Sequence, residues 1–279
     1  MVEADLSGYF DSIPHAELMK SVARRVSDGN LLRLIKQWLR MPIEETDERG
    51  HKQRRNPAKR TRRGTPQGAP ISPLLANLYM RRFILGWKML GWEKRLQARI
   101  INYADDFVIL CRGHAYAAQG AMQDLMKRLK LTLNERKTRI CRVPQESVDF
   151  LGYTIGRCYR IGSGQPYIGT RPAKKRVQRT CTAISTATER HWLGRTAEEM
   201  VEGLNRQLRG WGNYFCLGSV SKAYRAVDAH TRKRLRQWLC AKHKVRSGCT
   251  KRFPDEMLYG ELGLVRLSHT TKGLPWANA

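Results

Sequence analysis

Tyr103-Ala104-Asp105-Asp106 stands between two apolar runs, Ile100-Ile101-Asn102 and Phe107-Val108-Ile109-Leu110. Short β-prone runs that meet at a polar pair predict a β-hairpin with both aspartates at its tip. The residues suit that turn poorly, because tight hairpins favour Asn-Gly or Asp-Gly, in which glycine takes up the positive φ. Adjacent carboxylates on an apolar sheet repel each other, and burial would penalise their charge. A divalent cation would offset both effects. A solvated surface turn would avoid them equally well, and the rest of the chain has to decide between the two.

Composition narrows the choice. The 279 residues are 41% hydrophobic, enough for a substantial core in one large or two ordinary domains. Lys and Arg number 52 against 24 Asp and Glu, a formal net charge of +28. Such a chain seeks polyanions, and nucleic acid is the default partner. No apolar run approaches the roughly 20 residues of a spanning helix, and no signal-peptide pattern opens the chain, so the expectation is a soluble, cytoplasmic protein with no membrane partner. Seven cysteines, without a Cys-x-x-Cys pair, support neither a zinc site nor a disulfide framework.

Taken in order, Asp5 closes a short first strand, and Gly8 and Pro14 divide the next dozen or so residues into a turn and a helix start. Apolar residues then repeat at helical spacing, first Leu18, Val22 and Val26, then Leu31, Leu34, Ile35, Trp38 and Leu39, which predicts two core-facing helices. Residues 47–63 read as a basic loop or frayed hairpin, able to serve as a linker or to touch a phosphate backbone. In Gly64-Thr65-Pro66-Gln67-Gly68-Ala69-Pro70 four break residues make a loop whose backbone can approach a ligand. Ser72 is the expected N-cap of the next helix, with Pro73 at its first position.

These stretches together resemble the palm motifs of reverse transcriptases, and in particular the reverse transcriptase/maturase proteins of group II introns. The resemblance rests on Asp5 with Phe10, the Gly64–Gly68 loop leading to Ser72-Pro73-Leu74-Leu75-Ala76-Asn77, and Tyr103-Ala104-Asp105-Asp106. It continues through Leu133-Asn134-Glu135-Arg136-Lys137-Thr138 and Val148-Asp149-Phe150-Leu151-Gly152-Tyr153. It implies an α+β fold, a palm of antiparallel sheet packed on helices followed by an α-helical thumb/maturase domain. It also implies RNA-directed DNA synthesis by two-metal nucleotidyl transfer. Asp5, Asp105 and Asp106 would hold two Mg²⁺, ions that take hard oxygen ligands. Lys137 would stabilise or protonate the leaving pyrophosphate. Phe10, Gln67 and Gly68 would line the dNTP, and Phe150, Leu151 and Gly152 would grip the DNA primer on its RNA template.

Beyond residue 160 the chain becomes more basic. Residues 157–252 hold 22 basic and 5 acidic residues, +17 of the total. Thr196-Ala197-Glu198-Glu199 has the capping-box pattern and predicts a helix with Met200, Leu204, Leu208 and Trp211 on one face. Another helix is expected from about Ser219, with Tyr224, Val227, Leu235, Trp238 and Leu239 inward and its arginines largely outward. Gly203 to Phe215 and Arg234 to Leu239 resemble the maturase-specific thumb. Intron RNA would contact Arg62, Arg63, Lys174, Lys175, Arg176, Arg206, Arg209, Arg232 and Arg234. Trp211, Tyr214 and Phe215 could stack on unpaired bases, although Trp211 sits on the apolar face. The expected division is a palm over 1–160, a helical thumb/maturase domain over 161–250 and a tail over 251–279 without a nuclease domain. The family's fingers precede the first palm aspartate. Here Asp5 is the fifth residue, so the expectation is a fingers-less chain that works with a separate fingers polypeptide, or serves as an RNA-binding splicing cofactor, or is a remnant of a truncated intron gene.

Overall fold

β1 (Val2–Ala4) is short but central. It pairs antiparallel with β5 (Asp106–Cys111) on one side and β6 (Arg139–Ile140) on the other, and β4 (Ala98–Tyr103) completes a sheet of order β4-β5-β1-β6. Val2, Ala4, Phe107 and Ile109 share one face and are buried in the core, and Val108 is buried on the other face, opposite Glu3, which pairs with Arg139. In this computed structural model the described residues are 1–46, 51–55, 62–66, 68–160 and 162–270. Gln67, most of the basic stretch 47–61 and residues 271–279 of the expected tail lie outside them. The chain divides into two compact units, Met1–Arg142 and Val143–Ala279.

In the first unit the helices α1 (His15–Ala23), α2 (Gly29–Trp38), α3 (Ser72–Met89) and α4 (Ala115–Arg128) share a core with the sheet. Leu75, Tyr79, Phe83 and Trp87 repeat every three or four residues, which gives α3 a continuous buried face. Its polar tips are satisfied inside the core: Tyr79 donates to the Leu129 carbonyl at 2.7 Å and Trp87 Nε1 to that of Ala98 at 3.0 Å. The second apolar repeat was expected to face the core along its length. Ile35 and Leu39 do, but Leu31, Leu34 and Trp38 are more than a third exposed, because the stripe is wider than the core beneath α2. Ser72 is no cap either. It is the first residue of α3, fully buried, and its hydroxyl donates to the Pro66 carbonyl at 2.6 Å, pinning the preceding loop. The basic stretch is in part a hairpin, β2 (Ile43–Thr46) with β3 (Lys52–Arg55).

The second unit starts with a three-stranded antiparallel sheet, β7 (Val148–Phe150), β8 (Tyr153–Tyr159) and β9 (Pro166–Pro172). Three helices come next, α5 (Lys174–Ala187), α6 (Ala197–Tyr214) and α7 (Ser221–Lys242). The capping box at Thr196 forms in both directions, at 3.2 and 2.9 Å. Met200, Leu204, Leu208, Tyr224, Val227, Leu235, Trp238 and Leu239 make one buried cluster, as their periodicity predicts. Two polar residues tie the C-terminal residues to it. Asn205 exchanges hydrogen bonds with the backbones of Gly263 and Val265, and the buried Asp228 carboxylate accepts from the Leu267 and Ser268 amides.

Two expectations about this unit need correction. Arg232, Arg234 and Arg236 do not coat its outside. Arg232 and Arg236 bind Asp255, and Arg234 reaches Thr188 Oγ1 and the Ser185 carbonyl, each at 3.0 Å. Long side chains can curl back onto carbonyls and carboxylates that sequence spacing does not reveal. And a disulfide joins Cys240 to Cys249, which the turn after α7 brings back alongside the helix. Among the described residues no helix is long and apolar enough to cross a membrane.

Each unit contains one histidine whose pKa lies below the ordinary 6.5. Burial is the main cause at both, with Arg40 adding to it at His15 and Arg234 and Lys233 at His230. The unfolded chain therefore binds more protons than the folded one just below pH 6.5. Stability is complete above that value and is lost as pH falls. Thermal unfolding followed from about pH 8 to about pH 5 is expected to show Tm falling below about pH 6.5, with a smaller fall in His15→Gln for the first unit.

Candidate active site

The β4–β5 hairpin closes with Tyr103 opposite Asp106, leaving Ala104 and Asp105 as a two-residue loop. Ala104 has φ +54° and Asp105 does not share its sign, the pattern of a type II′ turn with alanine where glycine is favoured. Such strain, of order 1–2 kcal/mol, persists only when neighbours hold it. Asn102 does so, its Nδ2 donating to the Ala104 carbonyl at 2.8 Å. Asp105 and Asp106 are both exposed, so the burial that would have penalised their charge is absent.

Asp5 reaches the same place from β1. The β1–β5 register pairs Ala4 with Phe107, and one further step along it sets Asp5 level with Asp106. Residues opposite each other in antiparallel strands have Cβ atoms about 5 Å apart. On its other side Asp5 is clamped by the segment after α4. Asn134 N–H donates to the Asp5 carbonyl at 2.8 Å, Ser7 N–H to that of Thr132 at 2.9 Å, and Asn134 Nδ2 lies 3.4 Å from Asp5 Oδ2. A tight turn from Asn134 to Thr138 then brings Lys137 Nζ to 3.0 Å from the same oxygen. Both partners are partly exposed, so this ion pair is weak and exchangeable. Sequence reasoning gave Asn134 no role. Its backbone contact to a strand end depends on sheet pairing rather than residue type.

The Gly64 loop is fastened to the residues after Asp5. Gly64 N–H donates to Ile13, Thr65 N–H to the Phe10 carbonyl at 2.7 Å, and His15 Nε2 lies 2.6 Å from the Gly64 carbonyl. Gly64 has φ +90°, and a Cβ there would lie 3.1 Å from the Asp11 carbonyl oxygen, so bare backbone is required by the protein itself. Gly68 instead faces open space. Phe10 is partly buried and its ring packs edge-on against Tyr9 at 5.8 Å. Arg62 and Arg63 are exposed beside this loop.

In the second unit, Phe150 pairs with Tyr153, and Leu151 and Gly152 form the β7–β8 turn with φ +51° and +81°. Positive φ at both positions is the type I′ pattern. The turn is held by its surroundings, with Tyr214 Oη donating to the Leu151 carbonyl and Ala173 N–H to that of Gly152, both at 2.9 Å. Lys174, Lys175 and Arg176 are exposed in the first turn of α5, where cations oppose the helix dipole. Arg206 and Arg209 are exposed on α6; Phe215 is buried.

Carboxylates from two neighbouring antiparallel strand ends, one in a hairpin turn and one at the end of the central strand, define a polymerase palm. The chain belongs to the reverse transcriptase (RNA-dependent DNA polymerase) family, whose sequence model matches residues 1–155, and a group II intron maturase-specific domain matches residues 177–253. Together the two matches are those expected of group II intron reverse transcriptase/maturases. The chain is 26% identical to the group II intron-encoded protein LtrA of Lactococcus lactis, over 78% of this chain and 49% of that protein. It is 30% identical to protein YkfC of Escherichia coli, over 63% of this chain and 51% of the relative. The chain thus spans about half the length of these curated relatives.

The family uses divalent metal. The oxygens of Asp5, Asp105 and Asp106 are the hard donors that such ions take. Among the described residues no three acidic, His or Cys side chains are already gathered into a cluster, and Lys137 provides the cation at Asp5. Carboxylate oxygens are the donor type that suits a hard divalent cation such as Mg²⁺.

Proposed function

We propose that this chain carries out RNA-directed DNA synthesis on a palm formed by residues 1–160 and binds group II intron RNA through a helical thumb/maturase domain over 161–250, in the cytoplasm. The observation that carries this reading is the register that sets Asp5 level with the Tyr103–Asp106 hairpin, with Lys137 against Asp5. Asp5 and Asp105 hold two Mg²⁺ ions, with Asp106 as third carboxylate. Held by these carboxylates, such ions would supply activation of the primer 3′-hydroxyl and neutralisation of the triphosphate.

The protein's own groups do the rest. Lys137, released from Asp5, stabilises charge on the departing pyrophosphate or donates a proton to it, a role its ion pair with Asp5 supports. The Gly64–Gly68 loop, fastened to Phe10, lines the dNTP with Gln67, and Phe10 excludes a 2′-hydroxyl. The turn at Phe150-Leu151-Gly152 positions the primer end. Lys174, Lys175 and Arg176 gather cations at a helix start, a local cost that bound phosphate relieves. Arg62, Arg63, Arg206 and Arg209 extend the contact to intron RNA. Arg232 and Arg234 contribute only where RNA displaces their internal partners.

The test is primer extension by the purified chain on an RNA template with dNTPs. Extension that requires Mg²⁺ is expected, and its complete absence would overturn the polymerase reading.

A further inference from the structure

From Phe150 to Thr188 the chain holds seven basic residues and no acidic one. Its main feature is the β8–β9 hairpin, whose register pairs Arg157 with Ile168 and Tyr159 with Pro166. Side chains alternate between the faces of a strand, so these four share one face with Tyr153 and Pro172. That face changes character along its length. At the inner end Tyr153 is 9% exposed and packs on Phe215 with ring centroids 5.2 Å apart. At the outer end Tyr159 is 62% and Ile168 59% exposed, with Arg157 and Arg160 exposed beside them. Neither arginine has an acidic partner among the described residues. An aromatic ring and a β-branched side chain are thus held largely in water, next to guanidinium groups that no acidic side chain among the described residues pairs.

We infer that the outer half of the β8–β9 hairpin is a binding platform for unpaired nucleic acid. The Tyr159 ring stacks on a base, Ile168 and Pro166 extend the apolar floor, Arg157 on the same face takes a flanking phosphate, and Arg160, at the end of the strand and one step out of that face, meets the backbone as it leaves the platform. Charge decides the occupant. Leaving aside Lys174, Lys175 and Arg176, the segment still carries Arg157, Arg160, Arg171 and Arg179 and no anion, which selects a polyanion, and an exposed flat ring beside cations selects a strand whose bases are free to stack. The surface is separate from the cations assigned to intron RNA above, and it is read out by binding alone, so its failure leaves the polymerase reading untouched.

The experiment measures binding of the full chain to a fluorescently labelled oligouridine of about ten nucleotides and to a duplex of equal charge, over a salt series. Tyr159→Ala weakens binding of the unpaired strand by about tenfold and of the duplex by less than about twofold. Tyr159→Phe restores it, since the ring and not the hydroxyl is used. Arg157→Gln with Arg160→Gln lowers the salt slope by about 2. Tyr159 is exposed, so these variants fold. Unchanged binding in Tyr159→Ala would overturn the proposal, as would equal losses for strand and duplex. So would a monomer–dimer shift on Tyr159→Ala at unchanged affinity, which would assign the face to a second copy of the chain.

Discussion

Replacing Asp105 by alanine lowers Mg²⁺-dependent primer extension by about a thousandfold or more, equivalent to about 4 kcal/mol or more of transition-state stabilisation. The loss is chemical and not structural. Asp105 is exposed in a two-residue turn, and a surface substitution of this kind shifts stability by about 0.5 kcal/mol at most. Unchanged melting and undiminished, salt-sensitive RNA binding are therefore expected alongside the lost extension. Asp5→Asn behaves the same way in extension, with an additional signature, because it also removes the ion pair with Lys137. If Asp105→Ala extended primers at a rate near wild type, the hairpin carboxylates would not be the metal ligands.

The largest structural effect is expected from Trp87→Ala. Trp87 is 1% exposed at the heart of the first unit and packs beside Phe83, with centroids 6.3 Å apart. Removing the ring costs about 3–5 kcal/mol, the transfer of the lost atoms plus the cavity they leave. It also strands the Ala98 carbonyl, which accepts from Trp87 Nε1 at 3.0 Å. Against a total stability of about 5–15 kcal/mol, such a loss should unfold much of the unit near 37 °C. Trp238 in the second unit is equally buried, but its Nε1 has no partner among the described residues. Trp238→Phe is accordingly milder than Trp87→Phe. Urea unfolding of the two variants measures the difference.

Much of this was legible in the sequence because it was local. The hairpin at Tyr103–Asp106 comes from two β-prone runs abutting at a polar pair, and the start of α6 from a capping box whose two halves lie three residues apart. The buried face of α7 comes from its periodicity. The features that escaped reading depend on distant partners. Ser72 has the right chemistry for a cap, yet the Pro66 carbonyl competes for its hydroxyl and wins. Arg232, Arg234 and Arg236 have the spacing of a solvated face, yet Asp255 and the end of α5 draw them in. Asn134 and Lys137 converge on Asp5, far away in the chain, only because the turn at Leu133 bridges to Leu6. The positive φ of Ala104 and Leu151 contradicts their residue types; a hydrogen bond from Asn102 within the hairpin holds the first, and one from the distant Tyr214 holds the second.

If Asp5 and the Tyr103–Asp106 hairpin form one metal site, an ion bound there touches two segments of chain that are a hundred residues apart in sequence. Cleavage of the backbone by Fe²⁺ with ascorbate and peroxide reads this out, since Fe²⁺ takes the same oxygen ligands as Mg²⁺ and cuts only the chain beside it. Cuts are expected in both segments at once, around Asp5 and around Asp105, suppressed by excess Mg²⁺ and lost in Asp105→Ala. Cuts confined to one segment, or cuts that persist in Asp105→Ala, would rule out a shared site.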